Sequence, residues 1–160
     1  MASTANPAPP ETPDAPADTR DAGPRTLLFR AGGRVYGAEI EGVREIVPWR
    51  HATRLPGAPA SVQGLINLRG IVVTVLDLAA WMDAATPHQS ALDGSIVLVQ
   101  HGTRVAGIAV DEVLDVQPLA AEPLPDAESG RGGVVRGLGR LDDMVVILLD
   151  IHTLVRQVLL

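Results

Sequence analysis

Nucleophilic, acid–base and metal chemistry each need particular side chains at particular spacings, and this chain of 160 residues offers few of them. It has no Cys, and all thirteen of its basic residues are Arg. That excludes disulfides, thiolate nucleophiles, zinc–thiolate sites, a Walker-type phosphate lysine and a Schiff base. The four histidines, His51, His88, His101 and His152, include no pair at metal-ligand spacing on a helix. Asp150 and His152, two positions apart, would point to different sides of one. No Ser sits in a G-x-S-x-G elbow, so acyl transfer has no support. The paired acids Asp111-Glu112 and Asp142-Asp143 fall at expected turns, where turn geometry alone favours such residues. Gly132-Gly133 and Gly137-Leu138-Gly139 lack the strand–loop–helix context and the lysine of a phosphate cradle. Trp49-Arg50-His51, followed by Arg54, combines an aromatic ring with positive charge and could in principle stack on a nucleic acid. Two Arg in one loop of an acidic chain make a poor footprint for a polyanion, so a solvated connection is the better reading. The expectation is no catalytic residue, no metal and no cofactor.

Composition narrows the class further. A formal charge of −6 and a pI near 5.1 argue against a general nucleic-acid or anionic-membrane binder. Apolar residues make up 46% of the chain with only four aromatics, so the core must be aliphatic. The longest uninterrupted apolar run, Met144 to Leu149, is far too short to span a bilayer, so no direct membrane insertion is expected. No basic segment followed by an apolar stretch opens the chain, so the expected location is cytoplasmic. Residues 1–24 contain six Pro and six Ala and no Val, Ile, Leu or aromatic side chain. Such a segment buries too little surface to offset the entropy of ordering, and a disordered Pro/Ala-rich tail is expected there.

From Arg25 onward, short apolar runs meet at turns, as hairpins do. Thr26–Ala31 passes through Gly32-Gly33 into Arg34–Glu39, and Gln63–Leu68 passes through Arg69-Gly70 into Ile71–Leu76. Ser95–Gln100 turns at His101-Gly102 into Thr103–Val110, and Val134–Leu141 turns at Asp142-Asp143 into Met144–Leu149. The chain also repeats itself. Val35–Ile46 lies over Val105–Val116 in the pattern V-x-G-x-x-[IV]-x-x-V-x-[ED]-[IV], at an offset of 70 residues. Gly64-Leu65, Val72-Val73 and Leu76-Asp77-Leu78 match Gly137-Leu138, Val145-Val146 and Leu149-Asp150-Ile151 at an offset of 73. Two matched blocks in one order predict two similar β subdomains, with half-repeats at about 25–90 and 91–160. The runs Ile71–Leu76 and Met144–Leu149 are nearly continuous rather than alternating, which predicts cover on both faces. Asp77 and Asp150 are each placed to cap the short segment after them, and Ile151–Leu160 reads as a terminal helix with Ile151, Leu154, Val155 and Val158 on one stripe.

These residues resemble the CheW family. The resemblance is carried by Phe29–Ile46, by Leu55-Pro56-Gly57-Ala58-Pro59, and most specifically by Val62–Gly70 with its N-L-R-G turn. Val105–Asp111 and Gly137–Asp150 follow in the family's order, so the likeness covers residues 26–156. It implies a mainly β fold of two SH3-like five-stranded barrels with short helices, and a chemotaxis coupling protein without catalytic activity. Its implied partners are a CheA-type histidine kinase and the cytoplasmic tips of chemoreceptors, with other CheW-like domains as ring neighbours. The chain ends after the terminal helix without a receiver domain, so it resembles CheW rather than the CheV fusion. Carried over by motif, Glu45 and Arg69 are the polar residues expected to bind receptor, with Val43 and Ile40 supplying apolar contact. Gly64, Val105 and Gly107 are assigned to the kinase side; a side chain at Gly64 would disturb the strand entering the N-L-R-G turn.

Two departures from the family stand out. Thr74 replaces the usual Pro after the N-L-R-G turn, and Ala79 replaces a basic residue after the D-L pair. Both leave the fold intact and bear on the partner surface. The alternatives are a CheW-like scaffold of a non-flagellar chemosensory pathway, or a β-barrel that binds a small ligand.

Overall fold

The computed structural model describes residues 23–82, 94–123 and 133–159. The expected N-terminal tail up to residue 22, His88 and the expected change of repeat near residue 91 lie outside the described residues. All four expected hairpins are present. They are β1 (Arg25–Ala31) with β2 (Arg34–Glu39), β4 (Val62–Leu68) with β5 (Ile71–Asp77), β6 (Ser95–His101) with β7 (Arg104–Val110), and β9 (Val135–Leu141) with β10 (Met144–Leu149). Two further strands, β3 (Val43–Pro48) and β8 (Glu112–Pro118), come after the first hairpin of each half. A short 3-10 turn over Ile40–Gly42 leads into β3. The short helix α1 (Leu78–Trp81) and the terminal helix α2 (Ile151–Leu159) each begin at an Asp. Asp77 accepts from the Ala80 N–H at 3.2 Å and Asp150 from the Thr153 N–H at 3.1 Å, so both carboxylates satisfy donors that a helix start leaves without a partner.

The strands form two five-stranded sheets, in the orders β8-β1-β2-β10-β9 and β3-β6-β7-β5-β4. Each half of the chain sends its first two strands to one sheet and its last three to the other. The sheets are therefore not built from successive halves of the chain, as the repeat suggests; they are exchanged. The halves join at four pairs: β1 with β8 and β3 with β6, both antiparallel, and β2 with β10 and β5 with β7, both parallel. The parallel registers obey the sequence repeat: Tyr36 lies opposite Ile147 and Ala106 opposite Thr74, Gly37 opposite Leu148 and Gly107 opposite Val75. Each of these pairs takes one strand from each half, so a half that folded onto itself alone could not make them.

Packing repeats in the same way. A shared core holds Phe29 and Tyr36 of one sheet, Val97 and Ile108 of the other, and Leu154 and Val155 of α2. The Phe29 and Tyr36 rings stack with centroids 6.1 Å apart. Each sheet has a second cluster on its opposite face: Leu98, Val73 and Val75 in one, and their repeat equivalents Leu28, Val146 and Leu148 in the other. Each fully buried aliphatic contributes about 1.5–3 kcal/mol relative to exposure. The apolar runs of β5 and β10 are thus covered on both faces over most of their length, but not at their starts. Ile71 and Val72 are 47% and 62% exposed, and Val145 is 55% exposed. The reason is reach: β7 pairs with β5 only from Thr74, and β2 with β10 only from Ile147, so both hairpin tips project past the neighbouring strand.

Candidate functional site

Glu45 is placed by an irregularity in β3. Val43 pairs with Val99 and Glu45 with Leu98, leaving Arg44 as an extra residue. A bulge of this kind re-aims side chains next to it. Arg69 is placed by the turn after β4, where it adopts φ 50°. From these two positions, 24 residues apart, the side chains meet in a two-point contact. Arg69 Nη2 donates to Glu45 Oε2 at 2.5 Å and Nη1 to Oε1 at 3.2 Å. Planar guanidinium and carboxylate groups match in this arrangement, which fixes orientation as well as charge. The two polar residues singled out by motif are brought together. Beside them is a small cleft of about 40 Å³, lined by Leu68, Ile71, Val73, Leu98 and Val105 and flanked by Arg44. An ion pair at the mouth of an aliphatic notch can orient a polar group of a partner while a small apolar side chain enters.

The hydrogen bond from Arg69 holds the Glu45 carboxyl below its ordinary 4.5; desolvation, next in size, opposes it, and the charges of Arg69 and then Arg44 act with the hydrogen bond. The same contact raises the Arg69 guanidinium. A carboxylate lowered on folding stabilises the folded state above its unfolded pKa, and that contribution is lost as pH falls through the lower, folded value. The expected result is that Glu45→Gln changes the urea midpoint at neutral pH but not in strong acid, with the difference closing below pH 4.5. A difference that stays constant from neutral pH down to about pH 3, across which the carboxyl must titrate, would show that the pair is not formed in solution.

The other expected site residues divide. Val43 and Ile40 are half-buried and pack against the shared core, so their exposed edges alone are open to a partner. Val105, expected on the kinase side, lines the same cleft as Glu45 and Arg69, because β7 runs beside β5. Gly107 is buried, and a Cβ there would lie 2.7 Å from Ile96 Cγ2. Gly64 is buried at φ +144°, and a Cβ there would lie 2.1 Å from the Thr53 carbonyl oxygen. That oxygen is held in place by the Leu65 N–H at 2.8 Å. Neither glycine offers a contact surface; both act through the strands they allow to approach.

The sequence reading missed the exposed pair Ile71 and Val72, together with Arg44. A signal existed, since an apolar run that starts directly at a hairpin turn has no strand beside its first residues. It also missed what the second half holds at the equivalent positions. There Asp142 takes the place of Arg69, at φ 53°, and Asp115 the place of Glu45. Asp115 is held below its ordinary 3.8 by hydrogen bonds, first from the Gln117 amide and then from the Val116 N–H. The counterpart face is therefore acidic where the first carries an ion pair, and exposed Val145 stands where the first has Val72.

Trp49, His51 and Arg54 border a separate open cleft of about 630 Å³ together with Thr53, Gln63 and Asp77. Its one carboxylate is already engaged as the cap of α1, and Trp49 and His51 meet edge to face at 6.3 Å. Among the described residues, no group of three His, Cys, Asp or Glu could hold a metal, and no helix is long and apolar enough to cross a membrane.

Comparison with known proteins adds independent findings. The family model for the CheW-like domain matches residues 25–159. A chemotaxis protein CheW of Klebsiella aerogenes is 36% identical over 137 residues, covering 82% of this chain and 81% of that protein. Protein PilI of Pseudomonas aeruginosa is 30% identical over 115 residues, covering 69% of this chain and 64% of the other. The crystal structure of scaffolding protein TtCheW from Thermoanaerobacter tengcongensis superposes with a TM-score of 0.74 at 29% identity, over 82% of this chain and 92% of that one.

Proposed function

The chain belongs to the CheW-like domain family, and from that premise we propose that it couples chemoreceptor tips to a CheA-type histidine kinase without catalysing a reaction itself. The observation that carries the reading is the Glu45–Arg69 pair at the edge of an aliphatic cleft with Ile71 and Val72 exposed beside it. Exposed aliphatics next to an oriented ion pair suit a helical receptor tip, which offers apolar side chains one turn apart and polar groups between them. Val105 belongs to this same face, and Val43 and Ile40, packed against the shared core, offer only their exposed edges to a partner. The kinase docks elsewhere. The exchanged fold provides a second hairpin tip at the repeat-equivalent place, with Asp142 in its turn and Val145 exposed. Gly64 and Gly107, on β4 and β7, contribute to the first face by setting strand positions in its sheet.

Coupling then comes from holding two partners at fixed places on one body. Each contact of the usual size covers about 800 Å² per partner and binds modestly when isolated. With both occupied, each partner is kept at high local concentration for the other, and weak contacts become an array at the membrane. A signal passes when one state of the assembly makes better contacts than another.

Co-sedimentation with a kinase regulatory domain and a receptor tip fragment, separately and together, tests this. The expected result is a ternary complex with more of each partner retained than in either binary mixture. Binding to neither partner would remove the reading. The likeness to Protein PilI favours a second one, in which the same scaffold serves a chemosensory pathway other than the flagellar one. Running the assay with kinase domains from both kinds of pathway separates the two by which kinase is retained.

A further inference from the structure

The turn that presents Arg69 goes against ordinary backbone preference. At φ 50°, Arg69 lies in the left-handed region, where a Cβ crowds the following carbonyl and where Gly, Asn and Asp are the usual occupants. Two hydrogen bonds centred on Asn67 hold it there. Asn67 Oδ1 accepts from the Gly70 N–H at 2.9 Å, closing a side-chain-braced loop over Leu68 and Arg69. Arg50 Nη1 donates to the Asn67 carbonyl oxygen at 3.2 Å, fixing the root of the turn from β3's exit. Asn side chains brace turns in this way because the amide oxygen mimics a backbone acceptor.

The chain carries its own control. In the equivalent turn of the second half, Asp142 occupies the left-handed position at φ 53°. Asp tolerates that conformation by itself. At the place of Asn67 stands Arg140, whose guanidinium lies 3.8 Å from Glu122. Arginine has no side-chain acceptor, so this second turn cannot be braced as the first is. The brace accompanies the left-handed residue that needs it and is missing where the residue does not.

We infer that Asn67 is a positioning residue for the Glu45–Arg69 face: its side-chain oxygen holds the turn in the one conformation from which Arg69 reaches Glu45. The consequence for partners rests on the docking role proposed above; the positioning itself does not.

The test follows the Glu45 carboxyl of the full chain by NMR titration. In Asn67→Ala its titration moves up toward that of Arg69→Ala, while Asn67→Asp, which keeps an acceptor, holds the turn. Unfolding experiments supply a second arm. Asn67→Ala lowers the urea midpoint in the parent, but has little effect in an Arg69→Gly background, where the turn conformation needs no brace. Binding of a receptor tip fragment falls in Asn67→Ala as far as it does in Arg69→Ala. A Glu45 titration unchanged by Asn67→Ala, or an equal midpoint loss in both backgrounds, overturns the inference. If the titration moves and fragment binding does not, the positioning stands and the docking role of this face is refuted.

Discussion

Replacing Gly64 by alanine is expected to lower the stability of the folded chain by about 3 kcal/mol, a fall in melting temperature on the order of 10 °C. Two effects add. The position requires φ +144°, which side chains of L residues rarely adopt, and the new methyl would meet a carbonyl oxygen at 2.1 Å. That carbonyl, of Thr53, cannot simply move aside, because Thr53 and Leu65 exchange two backbone hydrogen bonds of 2.8 Å. Gly57→Ala is the comparison that separates the effects. Gly57 also has a positive φ, +79°, but a Cβ there meets nothing within 4 Å, so its loss should be only about 1 kcal/mol. Thermal unfolding of the two variants measures the difference directly. Equal losses would mean that the close approach of residue 53 to β4 is not present in solution. The second half repeats the feature with a looser fit, since a Cβ on Gly137 would lie 2.7 Å from the Glu122 carbonyl oxygen.

Reversing the charge at Arg69 is expected to abolish most receptor coupling while leaving the fold unchanged. In Arg69→Glu the side chain faces Glu45 with like charge, so the two move apart and the oriented pair is replaced by a repulsive one. Arg69 is mostly solvent-exposed and lies at a hairpin tip, so the core does not depend on it. Binding of a receptor tip fragment should fall by at least about tenfold, since like charges juxtaposed at an interface are strongly unfavourable. Receptor-stimulated kinase activity should fall with it, and the melting curve should not. Unchanged pull-down and unchanged stimulation together would remove Arg69 from the docking face. A matched Arg136→Glu change, on β9 in the other sheet and also in an exposed ion pair, controls for net charge.

Much of this architecture was legible in the amino-acid order, for reasons that are local. Hairpins announce themselves because a tight reversal needs residues that accept positive φ, and these stand at 32–33, 70, 102 and 142 between apolar runs. Asp77 and Asp150 announced helix starts because a cap is decided by one side chain and the amides after it. The exchange of strands between sheets was not legible. Whether β5 lies beside β7 or within a barrel of its own half depends on which arrangement closes the shared core around Phe29, Tyr36, Val97 and Ile108, and no pattern inside either strand encodes that choice. The exposed tips were hidden for the same reason: Val72 and Val73 are identical in type, but Val73 points into the cluster with Val75 and Leu98 while Val72 points to the other face, which no strand covers at the tip, leaving it 62% exposed. Glu45 and Arg69 were picked out by motif, but their contact was not, because it depends on a bulge at Arg44 and a left-handed turn acting together.

The crossing of the two halves has a consequence for how such a chain came to exist. One half on its own would hold two incomplete sheets, with open edges where the other half's parallel and antiparallel neighbours belong. It could finish them only by trading strands with another molecule of itself, at a rate set by how often two molecules met. Joining two such halves end to end turns that encounter into an event within a single molecule. It also frees each copy to change separately, so an Arg at one tip and an Asp at the other can serve different visitors.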